Sequence, residues 1–338
     1  MTIRNYYAYL KNQFDEDGFY KDYPYPFKRI WLDPVNGSDS NSGNSFSNAK
    51  KTLDGTNGAY AMTTSGNNDT ICLIGNGASA GTCRVDAAFT WANNATHLFG
   101  IAPPNRIGLR ARIAPTAATT AFTSFFTITG DGCDFRNVQF WHGFTTGAAG
   151  MIAVTLNGAN YNHFENVHFA GMGDAASAAS ATSRALLIYN SGENEFVRCT
   201  FGIDTIARSA ASALIEFSAP NVGGAAYNPR NKIIDCDFLA WTTTVQTQTD
   251  ILVGSRDVDR WLMVDRCRFM NSLNSSGYLI QTAVCETAAA AGGTILFKDC
   301  ALVGRTGFGK DATARGFIKI EGGTPAAATT GLAVAPTA

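Results

Sequence analysis

The apolar residues of this chain fall in short bursts with no helical period. One burst recurs six times. It reads Phe-Arg-Asn-Val-Gln-Phe at 135–140, Phe-Glu-Asn-Val-His-Phe at 164–169 and Phe-Val-Arg-Cys-Thr-Phe at 196–201. It continues as Ile-Ile-Asp-Cys-Asp-Phe at 233–238, Val-Asp-Arg-Cys-Arg-Phe at 264–269 and Phe-Lys-Asp-Cys-Ala-Leu at 297–302. Successive starts lie 29, 32, 37, 31 and 33 residues apart. A near-constant period of this size predicts a solenoid. Within each unit the small apolar residue (Val138, Val167, Cys199, Cys236, Cys267, Cys300) and the last one (Phe140, Phe169, Phe201, Phe238, Phe269, Leu302) are two apart, so they share one face of a strand. The first apolar residue is out of step by one. A one-residue bend before the small residue restores its inward direction. That position holds Asn137, Asn166, Arg198, Asp235, Arg266 and Asp299, four of them Asn or Asp, types that tolerate the left-handed conformation.

Other short apolar runs alternate with these bursts. They are Phe126 to Ile128, Ile152 to Leu156, Leu186 to Tyr189, Leu214 to Phe217, Ile251 to Val253 and Leu279-Ile280, with Phe317 to Ile320 as a last rung after the sixth burst. Short strands at fixed spacing describe a chain coiled round a core, with successive coils pairing in parallel at about 4.8 Å. The predicted fold is all-β, a right-handed parallel β-helix. A leucine-rich repeat would show leucine at the inward positions, and a propeller would need four strands per period.

The pattern divides the chain into four parts. In residues 1–29, Ile3, Tyr7, Leu10 and Phe14 recur at helical spacing, and an irregular arm carrying Tyr23, Tyr25 and Phe27 follows. So many aromatic residues outside the repeats predict a docking helix and arm. Residues 30–68 form a leading strand, a turn-rich loop and a short capping helix. The β-helix occupies 69–320, and 321–338 is a tail rich in Ala and Thr.

The leading segment carries Asp33, Pro34, Asn36, Gly37, Asp39, Gly43, Lys51, Thr52 and Leu53. In these residues and in the repeated coils, most of the chain, it resembles the pectate-lyase-like class of right-handed β-helix proteins, above all those of tailed-bacteriophage virions. The resemblance implies a homotrimer on a virus particle. It is specific for the fold and does not fix an activity.

Charge then narrows the classes. Lys and Arg number 26 against 27 Asp and Glu, so no basic surface for nucleic acid is expected. No apolar run reaches the roughly 18 residues of a membrane span, and residues 1–11 lack the apolar core of a signal peptide. The expectation is synthesis in a host cytoplasm followed by assembly into a virion. Four of the eight cysteines hold equivalent places in consecutive coils, which predicts a stack of buried thiols. Sulfurs in a line cannot surround a metal tetrahedrally, so neither metal nor cofactor is expected.

Glycan cleavage would need two carboxylates. The pairs on offer are Asp235 with Asp237, Asp257 with Asp259, Glu193 with Glu195 and Asp131 with Asp134. Arg198, Asp235, Arg266 and Asp299 alternate in sign down the bend column, and Asp237 falls beside Arg268. These aspartates therefore read as halves of a surface charge ladder. Asp257 and Asp259 interleave with arginines, and Glu193 and Glu195 follow Ser191-Gly192, so both pairs read as turns. His168 takes an outward strand position and reads as surface. The expectation from these features is a non-enzymatic structural protein of a tailed-phage particle, such as a capsid decoration protein, head spike or short tail component. It would be held by its N-terminus to other virion proteins. The alternative is a small tailspike that binds and cleaves host surface glycan, with aromatic residues near carboxylates around Trp141, Trp241 or Trp261.

Overall fold

The computed structural model describes residues 28–116, 123–143, 151–220, 227–242, 249–272, 283–305 and 307–320. Over these the chain is a right-handed parallel β-helix of three sheets. Sheet A has ten strands running from Arg29–Leu32 to Ile318–Ile320, sheet B eight from Cys83–Val85 to Ala301–Val303, and sheet C seven from Phe89–Trp91 to Cys285–Thr287. In every sheet, hydrogen-bonded neighbours come from consecutive coils and run parallel. The six-residue motif turns the corner from A to B. His163–Glu165, for example, lies in A, and His168–Ala170 in B. The bend residues between have φ from 48 to 55°, the two arginines included. The first five bend N–H groups still meet the next coil, as in Asn166 to the Val197 carbonyl at 3.0 Å. The left-handed turn therefore interrupts no ladder.

Inside the corner the side chains stack by register. Phe135, Phe164 and Phe196 stand 5.0 and 4.8 Å apart with rings within 8° of parallel. A second column runs Phe140, Phe169, Phe201, Phe238 and Phe269, all buried, and ends at the partly buried Leu302. Val138, Val167, Cys199, Cys236 and Cys267 are buried beside them, and Cys300 is half-buried. Each of the column thiols also ties coils together. Cys199 Sγ donates to the Phe164 carbonyl at 3.3 Å, and the Cys199 N–H meets Cys236 Sγ at 3.2 Å. Cys236 repeats the arrangement on Phe196 and Cys267. Burial raises the Cys236 and Cys267 pKa values well above the usual thiol range, so these thiols stay protonated.

The leading segment closes one end of the column. Asp33 Oδ1 accepts from the Val35 and Asn36 amides, and Asp39 accepts from Lys51 and Thr52. Burial pushes the Asp39 carboxyl up, but these hydrogen bonds outweigh it and hold the group below its ordinary pKa. Gly37 lies against the Lys50 carbonyl, where a Cβ would come within 2.2 Å.

The predicted second ladder needs correcting at its last rung, Phe317 to Ile320. The last strand of sheet C is Cys285–Thr287, while Leu279 and Ile280 lie outside the described residues. Ile318–Ile320 joins sheet A instead, in register with Ile295–Phe297. The short helix Ala312–Phe317, capped by Asp311, carries the chain across to that sheet and takes up Phe317.

His168 is corrected too. It points out of sheet B, yet it is only 2% exposed, because the loop from 102 to 111 lies across it. Its Nδ1 accepts from the Gly108 amide at 3.1 Å and pairs with the Gln139 amide at 3.0 Å, while Nε2 donates to the Gly202 carbonyl. Burial lowers its pKa to about 4, keeping the ring neutral. The same loop reaches Thr200 through the Arg106 carbonyl.

Candidate functional site

The loop across sheet B decides the fate of the first carboxylate pair. Arg106 lies 3.8 Å from Asp235 and 3.1 Å from Asp237, and Arg268 contacts both from the next coil. Asp237 is 5% exposed. Asp237 thus sits beside Arg268 in register, but the alternating bend column does not pair with itself. Arg198 pairs with Glu165, and Arg266 with Asp265 at 2.6 Å, because carboxylates on the adjoining strands come closer than those in the column. Replacing Asp235 with arginine would set a third guanidinium between Arg106 and Arg268. Asp235→Arg is expected to lower the melting temperature more than Asp235→Ala. Equal losses in a thermal scan would mean that the two arginines do not converge there.

Asp257 and Asp259 do not form an open pair. Asp257 is 2% exposed in a turn, and its Oδ1 has no hydrogen-bond partner. Burial, with a contribution from Glu216, raises its pKa to about 6. Asp259 is half-buried, 3.6 Å from Arg260. Ile3, Tyr7, Leu10, Phe14, Tyr23, Tyr25 and Phe27 lie outside the described residues.

The structure brings chemistry together on the outer face of sheet A. Asn162, Asn194 and Asn231 each precede an inward Phe or Ile by two, and they form a buried ladder along the corner that leads into the sheet. Asn194 Oδ1 accepts from the Asn162 amide, and Asn231 Oδ1 from the Asn194 amide, both at 3.0 Å. These bonds satisfy backbone donors that the corner would otherwise strand. The residue before each Asn is left-handed: Tyr161 at φ 59°, Glu193 at 58°, Arg230 at 51°. Gly192 keeps the corner tight, since a Cβ there would lie 2.4 Å from the Pro229 ring.

Two columns of side chains result. Tyr161, Glu193 and Arg230 stand along the corner. His163, Glu195 and Lys232 stand in register one step into the sheet. With Asn162, Asn194 and Trp261 they line a cleft of about 420 Å³. Trp261 follows a register irregularity between Val258 and Trp261, of the sort that re-aims a side chain. Leu262 and Val264 are buried while Trp261 stays half-exposed.

Charges in the cleft are matched. Arg230 pairs with Glu193, and Lys232 lies 3.4 Å from Glu195. His163 bridges two carboxylates, with Nδ1 3.4 Å from Glu195 and Nε2 3.8 Å from Glu165. Glu165 is held in turn by Arg136 and Arg198. Among the described residues no group of three or more His, Cys, Asp or Glu is placed to hold a metal ion, and no helix is long and apolar enough to cross a membrane.

No family model and no curated protein matches the chain. Solved structures do. Pectin methylesterase PemA from Erwinia chrysanthemi is 11% identical over 87% of this chain and 81% of its own, with a TM-score of 0.46. The tailspike protein gp49 of Acinetobacter baumannii bacteriophage Fri1, a capsular polysaccharide depolymerase, is 12% identical over 75% of this chain and 55% of its own, with a TM-score of 0.37. The catalytic domain of a GH87 α-1,3-glucanase is 12% identical over 71% and 50%, with a TM-score of 0.31. The likeness is one of fold. The expectation that the chain is not an enzyme is corrected against these structures: by their descriptions they are an esterase, a depolymerase and a glucanase.

Proposed function

We propose that this chain binds a bacterial surface glycan in the sheet A cleft and hydrolyses it. The observation that carries the reading is the meeting of Glu193 and Glu195 in one open cleft with an exposed tyrosine, a tryptophan and a histidine. The volume falls within the range of small-molecule sites. Aromatic faces receive the C–H faces of pyranose rings. In hydrolysis one carboxyl protonates the leaving oxygen while the other draws a proton from the attacking water. A carboxyl separation of about 6.5–9.5 Å leaves room for that water and gives inversion, whereas about 5–5.5 Å gives retention through a covalent intermediate. His163 holds Glu195 from the side opposite Lys232. The reading extends to the setting: a component of a tailed-phage particle, trimeric, with residues 1–29 docking onto other virion proteins. The leading segment's resemblance supports that part.

A panel of purified capsular and O-antigen polysaccharides tests the activity by release of reducing ends. Wild type is expected to depolymerise at least one. Glu195→Gln and Glu193→Gln are each expected to lose about 100-fold or more in kcat with unchanged melting. Full activity in both variants, or no release from any member of the panel, overturns the proposal.

A further inference from the structure

We infer that the cleft selects uncharged pyranose units through pairs of neighbouring hydroxyls and turns acidic sugars away. The inference rests on the glycan reading of the same site and adds the class of sugar. The lining cations are Arg230 and Lys232, and each already lies against a carboxylate, Glu193 and Glu195 respectively. The cations just beyond, Arg136 and Arg198, both contact Glu165. A uronate or sulfate entering the cleft would have to displace one of these glutamates. That glutamate would then face the incoming anion without its own cation, and like charges at contact distance repel strongly.

A neutral sugar meets no such conflict. An ion pair presents N–H donors and carboxylate acceptors side by side. A hydroxyl both donates and accepts, so two adjacent hydroxyls can engage donor and acceptor together and leave the pair intact. The cleft carries this device twice, two residues apart along the same two coils, as Glu193 with Arg230 and Glu195 with Lys232. Tyr161, 64% exposed, and Trp261 supply the apolar faces that a pyranose ring stacks on. Binding built from matched charges and aromatic contact depends little on salt, whereas capture of an anion by free cations weakens steeply as salt screens it.

Titration calorimetry on the full chain separates the outcomes. The probes are neutral oligosaccharides of glucose, galactose, mannose and rhamnose, and oligogalacturonates of equal length, each at about 50 and 500 mM salt. A neutral oligosaccharide is expected to bind with a Kd that changes less than about twofold between the two salts, and Trp261→Ala, checked for native circular dichroism, to weaken it about tenfold. Tighter binding of the oligogalacturonate, lost at high salt, overturns the inference and leaves the glycan reading standing. Failure of both classes to bind folded protein overturns the glycan reading itself. Neutral binding that Trp261→Ala leaves untouched removes the sugar from this cleft.

Discussion

Truncating Phe201 to alanine is expected to lower the stability of the central coils by about 3–5 kcal/mol, the cost of deleting a fully buried aromatic ring from a packed core. Phe201 stacks on Phe169 at 5.2 Å with rings 7° from parallel, meets Phe238 at 5.0 Å tilted by 34°, and lies 5.9 Å from Phe196 across the corner. In a solenoid each coil is held by its two neighbours, so one hole weakens two interfaces. Leu302, at the partly buried end of the same column, has a column neighbour on one side only among the described residues, and Leu302→Ala should cost well under half as much. Phe201→Leu keeps most of the volume and should fall between. Urea denaturation followed by tryptophan fluorescence ranks the three. Equal losses for Phe201→Ala and Leu302→Ala would mean that the column does not act as a continuous stack.

That column was legible because inward positions obey a strict demand. A residue facing the core of a parallel coil must match its neighbours one coil away, and the match leaves a period in the chain. Phe140, Phe169, Phe201, Phe238 and Phe269 repeat for that reason, and so does the polar bend before the small residue. The asparagine ladder left a fainter mark. Asn162, Asn194 and Asn231 stand two before Phe164, Phe196 and Ile233, just outside the six-residue motif. The cleft on that ladder left none. Tyr161, Glu193 and Arg230 share a column but no chemistry, since an outward column needs complementary neighbours and not identical ones. Glu193 and Glu195 read as a turn until register placed His163, Lys232 and Trp261 around them. The loop over sheet B was equally hidden. Its contacts reach 60 residues to His168 and 129 to Asp235, and no period announces a segment that crosses coils once.

The other large effect lies in a charge cluster that no repeat marks. Asp250, 0% exposed, receives the Arg305 guanidinium in a bidentate pair at 2.6 and 2.8 Å, and the Arg305 side chain is itself 2% exposed. Arg208 is buried nearby and donates to Ser212. Burial lowers its pKa to about 9, Asp250 opposes that shift, and Arg305 and Arg184 add to it. One carboxylate therefore serves two buried cations. Removing it is expected to cost more than removing either partner. Arg305→Ala leaves Asp250 near Arg208 and should destabilise by about 3 kcal/mol, whereas Asp250→Ala strips the buried Arg305 of its bidentate carboxylate and also removes that charge from beside Arg208, and should reach about 5 kcal/mol. The double replacement Asp250→Leu with Arg305→Met should recover part of the loss, because an apolar pair of similar volume has no charge to desolvate. Asp250 lies in the Thr249–Val253 strand of sheet C, and Arg305 follows the Ala301–Val303 strand of sheet B, so the pair clamps two of the last coils. In a chain whose stability is a sum of neighbouring interfaces, the damage should stay local. Hydrogen exchange should show the strands from Thr249 onward opening in Asp250→Ala while Ile152–Asn157 keeps its protection. Uniform loss of protection along the whole column would mean that the coils unfold as one unit.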